Sequence, residues 1–515
     1  MSPVNPDFEK AISQNNFRGE SLVPSPVYIH FGVPEKNQTG FGSRYDLREH
    51  NLVSPVKNKG ACGCCYAFAT IASIESGWLK QGFPLFDLSE EHLRTCHGFR
   101  YGTDGCCSGG DIYKSTAYLS RLSGPITENM VPFTGSPHAN CAGEITPIAF
   151  IDQARFLPKN ATDIKQAILD YGAVYSALHY TDNAFRESDN TYYYGGTQLE
   201  NHAVTIVGWD DNKPTANGTG AWIVKNDFGN GWGENGFFYV SYNDHKILSS
   251  NGIFPERKDY LANQTLYFHD KLGHISSTGY GDNTACGLVK FISDGRFPIR
   301  KIGTWVNSTE TVLDIEIYDN FSNNSLSIKV ASMAALVCKY PGYYTFDLPY
   351  PLYFNGGNDF YVKIKYTTPD FNYPVPVEAK LENYADPEIE SNVAWISHSG
   401  SNWSALGANM SNQMDQIDLC IRAWGISSFT EIEQDKDLVC LVYPSPDGEK
   451  IRIEAFTNQV LTVNLHNLSG IKIFETQIKS GEQLYEIALP KLNSGIYFVS
   501  LFNHQNKIVK KMVIP

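Results

Sequence analysis

Six of the eleven cysteines in this chain of 515 residues lie between Cys62 and Cys107. So many thiols in one short segment would be unsafe in a reducing cytosol unless they bound metal, whereas disulfides suit an exported protein. Cys96 and His97 lie near other cysteines, but the paired C-x-x-C and H-x₃-H spacing of a zinc site does not occur, so we expect no metal. Because eleven is odd, at least one thiol stays free and is a candidate reactive group.

Length and charge narrow the possible classes of protein. A chain of 515 residues is long enough for about three domains. Its net charge of −14 without a cluster of Lys and Arg argues against nucleic acid or an anionic membrane as the main partner. No run of about 18 apolar residues occurs, so no transmembrane segment is expected. The start of the chain also lacks the pattern of a signal peptide, and we expect one to have been removed.

Three sequence segments contain side chains that are candidates for catalysis. The first, Pro55-Val56-Lys57-Asn58-Lys59-Gly60-Ala61-Cys62-Gly63-Cys64-Cys65-Tyr66-Ala67-Phe68, puts Cys65 at the start of a predicted helix that runs from Tyr66 to Lys80. There the helix dipole favours thiolate over thiol. The second, Asn201-His202-Ala203-Val204, puts an imidazole at the head of a predicted strand, 137 residues downstream.

The third string, Trp222 to Gly236, contains Asn226, which is 161 residues from Cys65. The run before it, from Asp210 to Gly220, is rich in Gly, Asn and Pro, and it predicts an enlarged hairpin loop that would account for the long separation.

These strings resemble the papain-type cysteine peptidases. Their nucleophile segment reads C-G-[SA]-C-[WY], and their base lies roughly 130–150 residues downstream. Here the segment reads Cys62-Gly63-Cys64-Cys65-Tyr66, with one departure. The resemblance implies that Cys65 attacks the peptide carbonyl, that His202 takes the thiol proton and returns it to the leaving amine, and that Asn226 orients the imidazole. No cofactor is implied.

Lys59 is the main departure from the family, which has Gln there to stabilise the oxyanion together with the backbone N–H of the nucleophile. A lysine can still donate a hydrogen bond, and its charge could lower the pKa of the thiol, but its flexible stem positions the donor less well. Losing such a donor costs about 10²–10³ in rate. We expect Lys59 to act as the donor; the alternatives are that a neighbouring group replaces it or that catalysis is much weakened.

The resemblance also implies a substrate pocket. Its residues, including those that flank the base and the orienting amide, are Gly109, Gly110, Ile112, Ala177, Asn201, Ala203 and Phe228. Because Ile112, Ala177 and Ala203 are small and apolar, we expect an apolar side chain two residues before the scissile bond. Phe228 stands where the family usually has Trp, and it would shield the imidazole–amide hydrogen bond from water.

Disulfide pairing is likewise implied by the resemblance, as Cys62–Cys107 and Cys96–Cys141. Cys64 and Cys106 lie beside partners of the first bridge, and a second bridge between them is our preferred interpretation; two free thiols or exchanged pairing among these four remain open. Cys286, Cys338, Cys420 and Cys440 have no assignable pairing, although 286–420 or 338–420 is conceivable.

The predicted domains follow from composition and strand patterning. Residues 1–43 form a polar leader with one short helix, interpreted as a strap along the next domain, with an inhibitory plug as the alternative. Residues 44–254 are helical first and strand-rich second, typical of an α+β fold with a cleft between two lobes. Residues 255–426 alternate as half-buried antiparallel strands. They resemble the lectin-like domain that follows the peptidase in bacterial and archaeal relatives, through strings such as Leu266-Tyr267-Phe268-His269-Asp270 and Pro341-Gly342-Tyr343-Tyr344-Thr345-Phe346-Asp347-Leu348.

After a linker at 427–439, residues 440–515 resemble the sorting domain of the Bacteroidetes type IX secretion system. The matching strings are Val442-Tyr443-Pro444-Ser445-Pro446, His466-Asn467-Leu468-Ser469-Gly470, Leu492-Asn493-Ser494-Gly495-Ile496-Tyr497-Phe498-Val499 and Lys507-Ile508-Val509-Lys510-Lys511. By resemblance this unit is an export address, and the destination is outside the cell or on the outer-membrane surface.

The sequence therefore predicts a multidomain protein, an α+β papain-like peptidase followed by two all-β sandwiches. We expect a monomeric, exported cysteine endopeptidase whose partners are peptide substrates and the type IX machinery. A second hypothesis is a degenerate peptidase that binds surface glycans through the lectin-like domain, where Trp395, Trp403 and Tyr373 could stack on sugars. A third is acyl transfer to an amine by the same residues.

Overall fold

A computed structural model describes residues 4–13, 22, 25–32, 40–260, 264–426, 439–444, 450–456, 460–467, 470–479, 484–493, 495–502 and 507–514. The chain divides into two compact units. One comprises Met1–Gly77 with Phe86–Ser428, and the other Trp78–Leu85 with Phe429–Pro515.

The α-helices lie in the first third of the chain, and side-chain caps explain where most of them begin. Ser89, Asp111 and Asn160 each accept hydrogen bonds from backbone N–H groups of the first helical turn, which stabilises a helix start. The helices are α1 (Pro6–Ser13), α2 (Cys65–Lys80), α3 (Glu90–Cys96), α4 (Ile112–Ser120) and α5 (Ala161–Tyr171).

The strands between residues 44 and 259 lie between these helices and after them along the chain. They are β1 (Arg44–Asp46), β2 (Ala149–Phe150), β3 (Ala154–Leu157), β4 (Val174–Leu178), β5 (Phe185–Arg186), β6 (Thr191–Tyr192), β7 (His202–Thr215), β8 (Gly218–Lys225), β9 (Phe237–Ser241), β10 (Asn251–Ile253) and β11 (Lys258–Asp259).

The strand-rich lobe is built on β10-β4-β7-β8-β9, in which neighbouring strands are antiparallel. The early part of β7, the later part of β8 and β9 are buried on both faces, and Ile206, Val224 and Phe238 on these three strands are fully buried. This core fixes the start of β7 and the end of β8, which carry His202 and the residue before Asn226.

The predicted enlarged loop from Asp210 to Gly220 is wrong. β7 continues to Thr215 and β8 begins at Gly218, so the two strands form one long hairpin with a short turn. A register irregularity between Asp210 and Pro214 accommodates the proline in the ladder, as a bulge permits.

The lectin-like part is a β-sandwich whose core contains Ile302, Leu313, Val362 and Ile421. Its strands are β12 (Gln264–Tyr267), β13 (Ser276–Thr278), β14 (Thr284–Ile292), β15 (Ile299–Val306), β16 (Thr311–Ser322), β17 (Ser325–Cys338), β18 (Gly342–Leu352), β19 (Asp359–Thr367), β20 (Val375–Ala379), β21 (Ser391–Ser397), β22 (Ser404–Gly407), β23 (Ile417–Leu419) and β24 (Ile421–Ile426). One of its sheets has the order β17-β16-β19-β14-β21-β22, and β13-β20-β23 form another.

One sheet runs through both parts of this first unit. β12-β24-β15-β18 of the sandwich continue into β3-β10-β4-β7 because β18 pairs with β3, with Gly342 opposite Arg155 and Tyr343 opposite Ala154. The lobe that carries His202 is therefore hydrogen-bonded, strand by strand, to the sandwich.

The C-terminal part of the second unit, from Val439 onward, is all β among its described residues. Its strands are β25 (Val439–Pro444), β26 (Lys450–Phe456), β27 (Leu461–Asn467), β28 (Lys472–Ile478), β29 (Leu484–Ala488), β30 (Gly495–Phe502) and β31 (Lys507–Ile514). They form two antiparallel sheets, β25-β26-β29 and β28-β27-β30-β31, around buried residues such as Ile453, Leu465 and Val499. Cys440 lies on β25. Among the described parts of the whole chain, no helix has the length and hydropathy needed to span a membrane.

The described residues thus form an α+β part followed by two all-β parts, in the order that the sequence predicts.

Candidate active site

Cys65 is the first residue of α2 and its side chain is fully buried. The backbone N–H of Ala203, on β7, points at its sulfur with an N···Sγ distance of 3.2 Å. Burial raises the pKa of the Cys65 thiol to about 12; the negative charge of Asp227 adds to this, and Lys59 and nearby backbone N–H groups oppose it. The thiolate that the sequence predicts is therefore disfavoured while Cys65 is buried, because the loss of hydration outweighs the stabilisation of the charge by the start of the helix.

His202 and Asn226 form a hydrogen bond of 2.8 Å between imidazole Nε2 and side-chain Oδ1. Because an amide oxygen only accepts hydrogen bonds, Nε2 carries the proton and Nδ1 is the basic nitrogen. The same Oδ1 accepts the backbone N–H of Asp227. Phe228 stacks on the imidazole with ring centroids 5.1 Å apart. Burial lowers the pKa of His202 to about 3, with the Asn226 hydrogen bond opposing and the charge of Lys59 adding to the shift.

Lys59 lies in the loop before α2, and only 7% of its surface is exposed. Its backbone N–H donates to the carbonyl of Asp227 at 3.0 Å. Its Nζ is 3.4 Å from the Gly60 carbonyl oxygen and 5.3 Å from the centre of the Phe228 ring. The cation is therefore held over the aromatic ring that covers His202.

The predicted pocket residues lie on several elements. Ala177 on β4 is directly opposite Ala203 on β7. Ile112 begins α4 and lies against Gly252, where an added Cβ would meet its Cδ1 at 2.2 Å. Asn201 exchanges hydrogen bonds with the backbone of Tyr180 in both directions, which fixes the turn before His202.

Gly109 and Gly110 form the turn before α4. Gly109 has a φ of +83°, which suits glycine, and a Cβ on Gly110 would lie 2.5 Å from the ring of Tyr66. The backbone of Gly110 is therefore packed directly on the residue that follows Cys65.

Leu22 of the leader pairs with Gly110 in a parallel β-bridge and is buried. Nothing in the sequence pattern pointed to this contact. Leu22 thus pairs with a residue that was predicted to line the substrate pocket.

The structure contains the disulfides Cys62–Cys107 and Cys96–Cys141. The preferred bridge between Cys64 and Cys106 is not formed, and both are free, buried thiols. Cys106 is held elsewhere: Nη1 of Arg94 lies 2.8 Å from its sulfur, and the thiol is 3.3 Å from the carbonyl of Ser136. Cys286, Cys338 and Cys420 are free and buried as well, so neither 286–420 nor 338–420 is bridged.

A small cavity of about 20 Å³ lies beside the site, and charged residues contribute to its lining. Lys57 Nζ donates to Glu90 and lies 3.6 Å from a Glu75 oxygen. Lys225 donates to Ser54, and burial lowers the pKa of Lys225 to about 8. Asn226 and Asp227 line the same cavity.

Asp227 was also missed by the sequence interpretation. Its side chain is only 7% exposed, and its Oδ1 lies 3.7 Å from Nε2 of His202. The available signal was its position, since it follows Asn226 in a segment where the family has Ser.

Comparison with known families identifies the domain that contains these residues. The family described as papain family cysteine protease matches residues 41–254, the lectin like domain matches 266–425, and the secretion system C-terminal sorting domain matches 441–515. The chain carries a papain family cysteine protease domain.

Curated relatives of the peptidase domain include cathepsins. A viral cathepsin of Lymantria dispar multicapsid nuclear polyhedrosis virus is 34% identical over 203 residues, 39% of this chain and 54% of the relative. Cathepsin J of Rattus norvegicus is 28% identical over 266 residues, 48% of this chain and 74% of the relative. The chain thus spans about half the length of the first of these relatives.

Among solved structures, the cysteine protease and lectin-like domains of Cwp84, a surface layer associated protein of Clostridium difficile, superpose with a TM-score of 0.70. That match has 19% identity and covers 82% of this chain and 97% of the other. It shows that the peptidase fold and the lectin-like fold occur together in the same order.

Proposed function

We propose that this protein is an exported endopeptidase that hydrolyses peptide bonds through Cys65, His202 and Asn226. The observation that supports this most directly is the 2.8 Å hydrogen bond from His202 Nε2 to Asn226 Oδ1. The next residue of the same strand, Ala203, donates its backbone N–H to the Cys65 sulfur. The thiol, the imidazole and the orienting amide of the papain-type reaction are then supplied by three separate elements.

In the proposed reaction Nδ1 of His202 takes the proton of the Cys65 thiol, and the thiolate attacks the scissile carbonyl carbon. The oxyanion is stabilised by the Cys65 backbone N–H and by Lys59 Nζ. When the C–N bond breaks, the imidazolium gives its proton to the leaving amine and a thioester remains. Water, deprotonated by His202, hydrolyses the thioester and restores the thiol.

Substrate selection in this proposal depends on an apolar pocket formed by Ile112, Ala177 and Ala203, beside the Gly109–Gly110 backbone. Ile112, Ala177 and Ala203 are at most 2% exposed. Small apolar walls favour an apolar side chain two residues before the scissile bond, since transfer of such a side chain from water is favourable.

The proposed site of action is outside the cell. The sorting domain at 441–515 indicates export to the surface or secretion, and the two disulfides beside the site suit an oxidising compartment. Attachment to the surface and glycan binding by the lectin-like part remain parts of the proposal.

The test uses the disulfide-intact full chain and a form lacking residues 1–43, on fluorogenic peptides with an apolar second residue. Cleavage should be abolished by Cys65→Ala and by an irreversible thiol-directed epoxide, and the epoxide mass should lie on Cys65. Cys64→Ala is the matched control, since it removes an adjacent buried thiol that has no proposed role in the chemistry. Absence of cleavage by either form, with no label on Cys65, would favour a degenerate peptidase.

A further inference from the structure

Two residues of the site carry a charge where the papain pattern has a neutral residue, and the two charges are opposite in sign. Lys59 stands where the family has a neutral Gln, and Asp227 stands where the Asn-Ser-Trp segment has a neutral Ser. The two are joined through the Lys59 N–H to Asp227 carbonyl hydrogen bond of 3.0 Å. Relative to the family pattern, one extra positive charge and one extra negative charge therefore occur on residues that contact each other near the imidazole of His202.

The Asp227 carboxylate is held close to that imidazole and to little else. Its Oδ1 is 3.7 Å from His202 Nε2, and neither oxygen accepts a hydrogen bond from another residue in the described parts of the chain. A carboxylate that is nine-tenths buried without such partners is costly to keep, so its orientation toward the histidine calls for an explanation.

Lys59 alone would work against the reaction at His202. A buried cation beside an imidazole disfavours the imidazolium, and Lys59 does lower the proton affinity of His202. The imidazolium is the form that the proposed mechanism requires after the thiol proton has moved. A negative charge near Nε2 offsets this effect, because opposite charges within about 4–6 Å favour the charged form.

We propose that Asp227 is a positioning residue that stabilises the imidazolium form of His202 and offsets the charge of Lys59. This rests on the proposed function. Above about pH 7, where the Asp227 carboxyl is ionised, the thiol proton moves from Cys65 Sγ to His202 Nδ1, the Nε2 proton stays on the hydrogen bond to Asn226, and Asp227 takes no proton. The site then holds two cations, Lys59 and the imidazolium, against two anions, the thiolate and Asp227.

Other charged groups face the site and are held constant in the test. Lys57, Glu75, Glu90 and Lys225 line the cavity beside the site. The Cys64 thiol and Arg94 lie on the α2 and α3 side. The ring of Tyr180 lies 5.7 Å from that of His202.

The experiment measures the pH dependence of Cys65 alkylation by iodoacetamide and of kcat/KM, in the form of the protein that cleaves peptide in the assay above. Each pH profile has two limbs. The limb at lower pH reports loss of the thiol proton, the limb at higher pH reports loss of the imidazolium proton, and the thiolate–imidazolium pair exists between them. Removing the negative charge with Asp227→Asn should shift both limbs to lower pH by about one unit wherever they lie above about pH 7, where the Asp227 carboxyl is ionised. Lys59→Gln should shift them to higher pH, and the double variant should return close to the wild-type profile.

The controls separate electrostatics from damage to the fold. Asp227→Ser reproduces the family residue and should shift the limbs as Asp227→Asn does. Asp211→Asn removes a carboxylate of the same lobe that pairs with Lys165 at 2.6 Å, remote from the site, and should leave both limbs unchanged.

An active wild type whose limbs do not move in Asp227→Asn or Asp227→Ser would overturn the inference and leave the proposed function standing. Limbs that move in the same direction in the Asp227 and Lys59 variants would also overturn it. A wild type with neither cleavage nor alkylation at Cys65 would instead refute the proposed function, and the inference with it.

Discussion

At the scale of single residues, Asp227 shows how a group that serves chemistry can cost stability. Burial raises the pKa of its carboxyl to about 7, with Lys59 opposing the shift. Below about pH 4 the carboxyl is protonated in both the folded and the unfolded chain. As the pH rises to 7 the unfolded chain loses this proton while the folded protein retains it, so folding becomes less favourable.

Asp227→Asn should therefore be more stable than the wild type at pH 8, and much closer to it at pH 4.5. The change in the difference is up to about 4 kcal/mol, since one pKa unit corresponds to about 1.4 kcal/mol. Thermal unfolding of both proteins across this range measures it, with Asp211→Asn as the control. A difference that stays constant with pH would contradict the proposed burial of a titrating carboxyl.

Sequence motifs identified residues of the site better than they identified its environment. Cys65, His202 and Asn226 stand out because their neighbours and spacing follow a known pattern. The sequence shows that an aspartate follows Asn226, but the burial of Asp227 and its distance from Nε2 of His202 arise only when β8 and the loop before α2 pack together. The same limit applies to Cys106, whose thiol contacts Arg94 and the Ser136 carbonyl in a way that no spacing predicts.

At the scale of elements, local patterning predicted strands and helices but not how far the strands run. The alternating segments that become β16 and β19 were visible, whereas the Gly, Asn and Pro of the Asp210–Gly220 run suggested a loop. The extended β7–β8 hairpin instead continues through this run, because cross-strand pairing and a bulge override local preference. The order of the six-stranded sheet, β17-β16-β19-β14-β21-β22, joins strands distant in sequence and was not predictable.

The leader is the element whose role the sequence left open between a strap and a plug. Its contacts span the first unit: Leu22 pairs with Gly110, Phe8 packs edge-on against Tyr384, and the His30 N–H donates to the Asn307 carbonyl. Of these contacts, the pairing of Leu22 bears on activity, because the Gly110 backbone belongs to the proposed substrate pocket.

Removing residues 1–43 should raise kcat/KM and the rate of Cys65 alkylation by roughly tenfold or more, because a backbone already paired with the leader is unavailable to substrate. Leu22→Glu in the full chain should act in the same direction, since Leu22 is buried and a carboxylate there would be costly. Phe31→Glu, at an exposed leader position, is the matched control. Equal rates for the full and shortened chains would favour a strap that does not block the site.

At the scale of the whole molecule, the peptidase and lectin-like parts of the first unit share polar as well as sheet contacts. Tyr384 of the lectin-like part donates to Asp111, the N-cap of the helix that follows Gly110. Trp403 is buried in this part and Trp395 is only partly exposed, so two of the aromatics suggested for sugar stacking contribute mainly to packing. These contacts indicate that the lectin-like part supports the cleft structurally.

Arg422 is central to this support. It is fully buried on β24, pairs with Asp270 at 2.9 Å, and donates through Nη1 to the carbonyl and hydroxyl of Ser120 at the end of α4. Removing one partner of a buried ion pair costs about 3–5 kcal/mol, because the remaining charge is left without compensation.

Arg422→Met should therefore lower the thermal unfolding midpoint substantially. Because Ser120 lies in the peptidase part, cleavage activity should be lost in the same transition that far-UV circular dichroism records for the strands. The double variant Arg422→Met with Asp270→Leu should recover much of the loss, since well-packed apolar groups often replace a buried ion pair without penalty. Lys380→Ala breaks an exposed pair with Asp386 and should change little. If activity instead survives the melting of the lectin-like strands, the two parts fold independently and the shared sheet does not couple them.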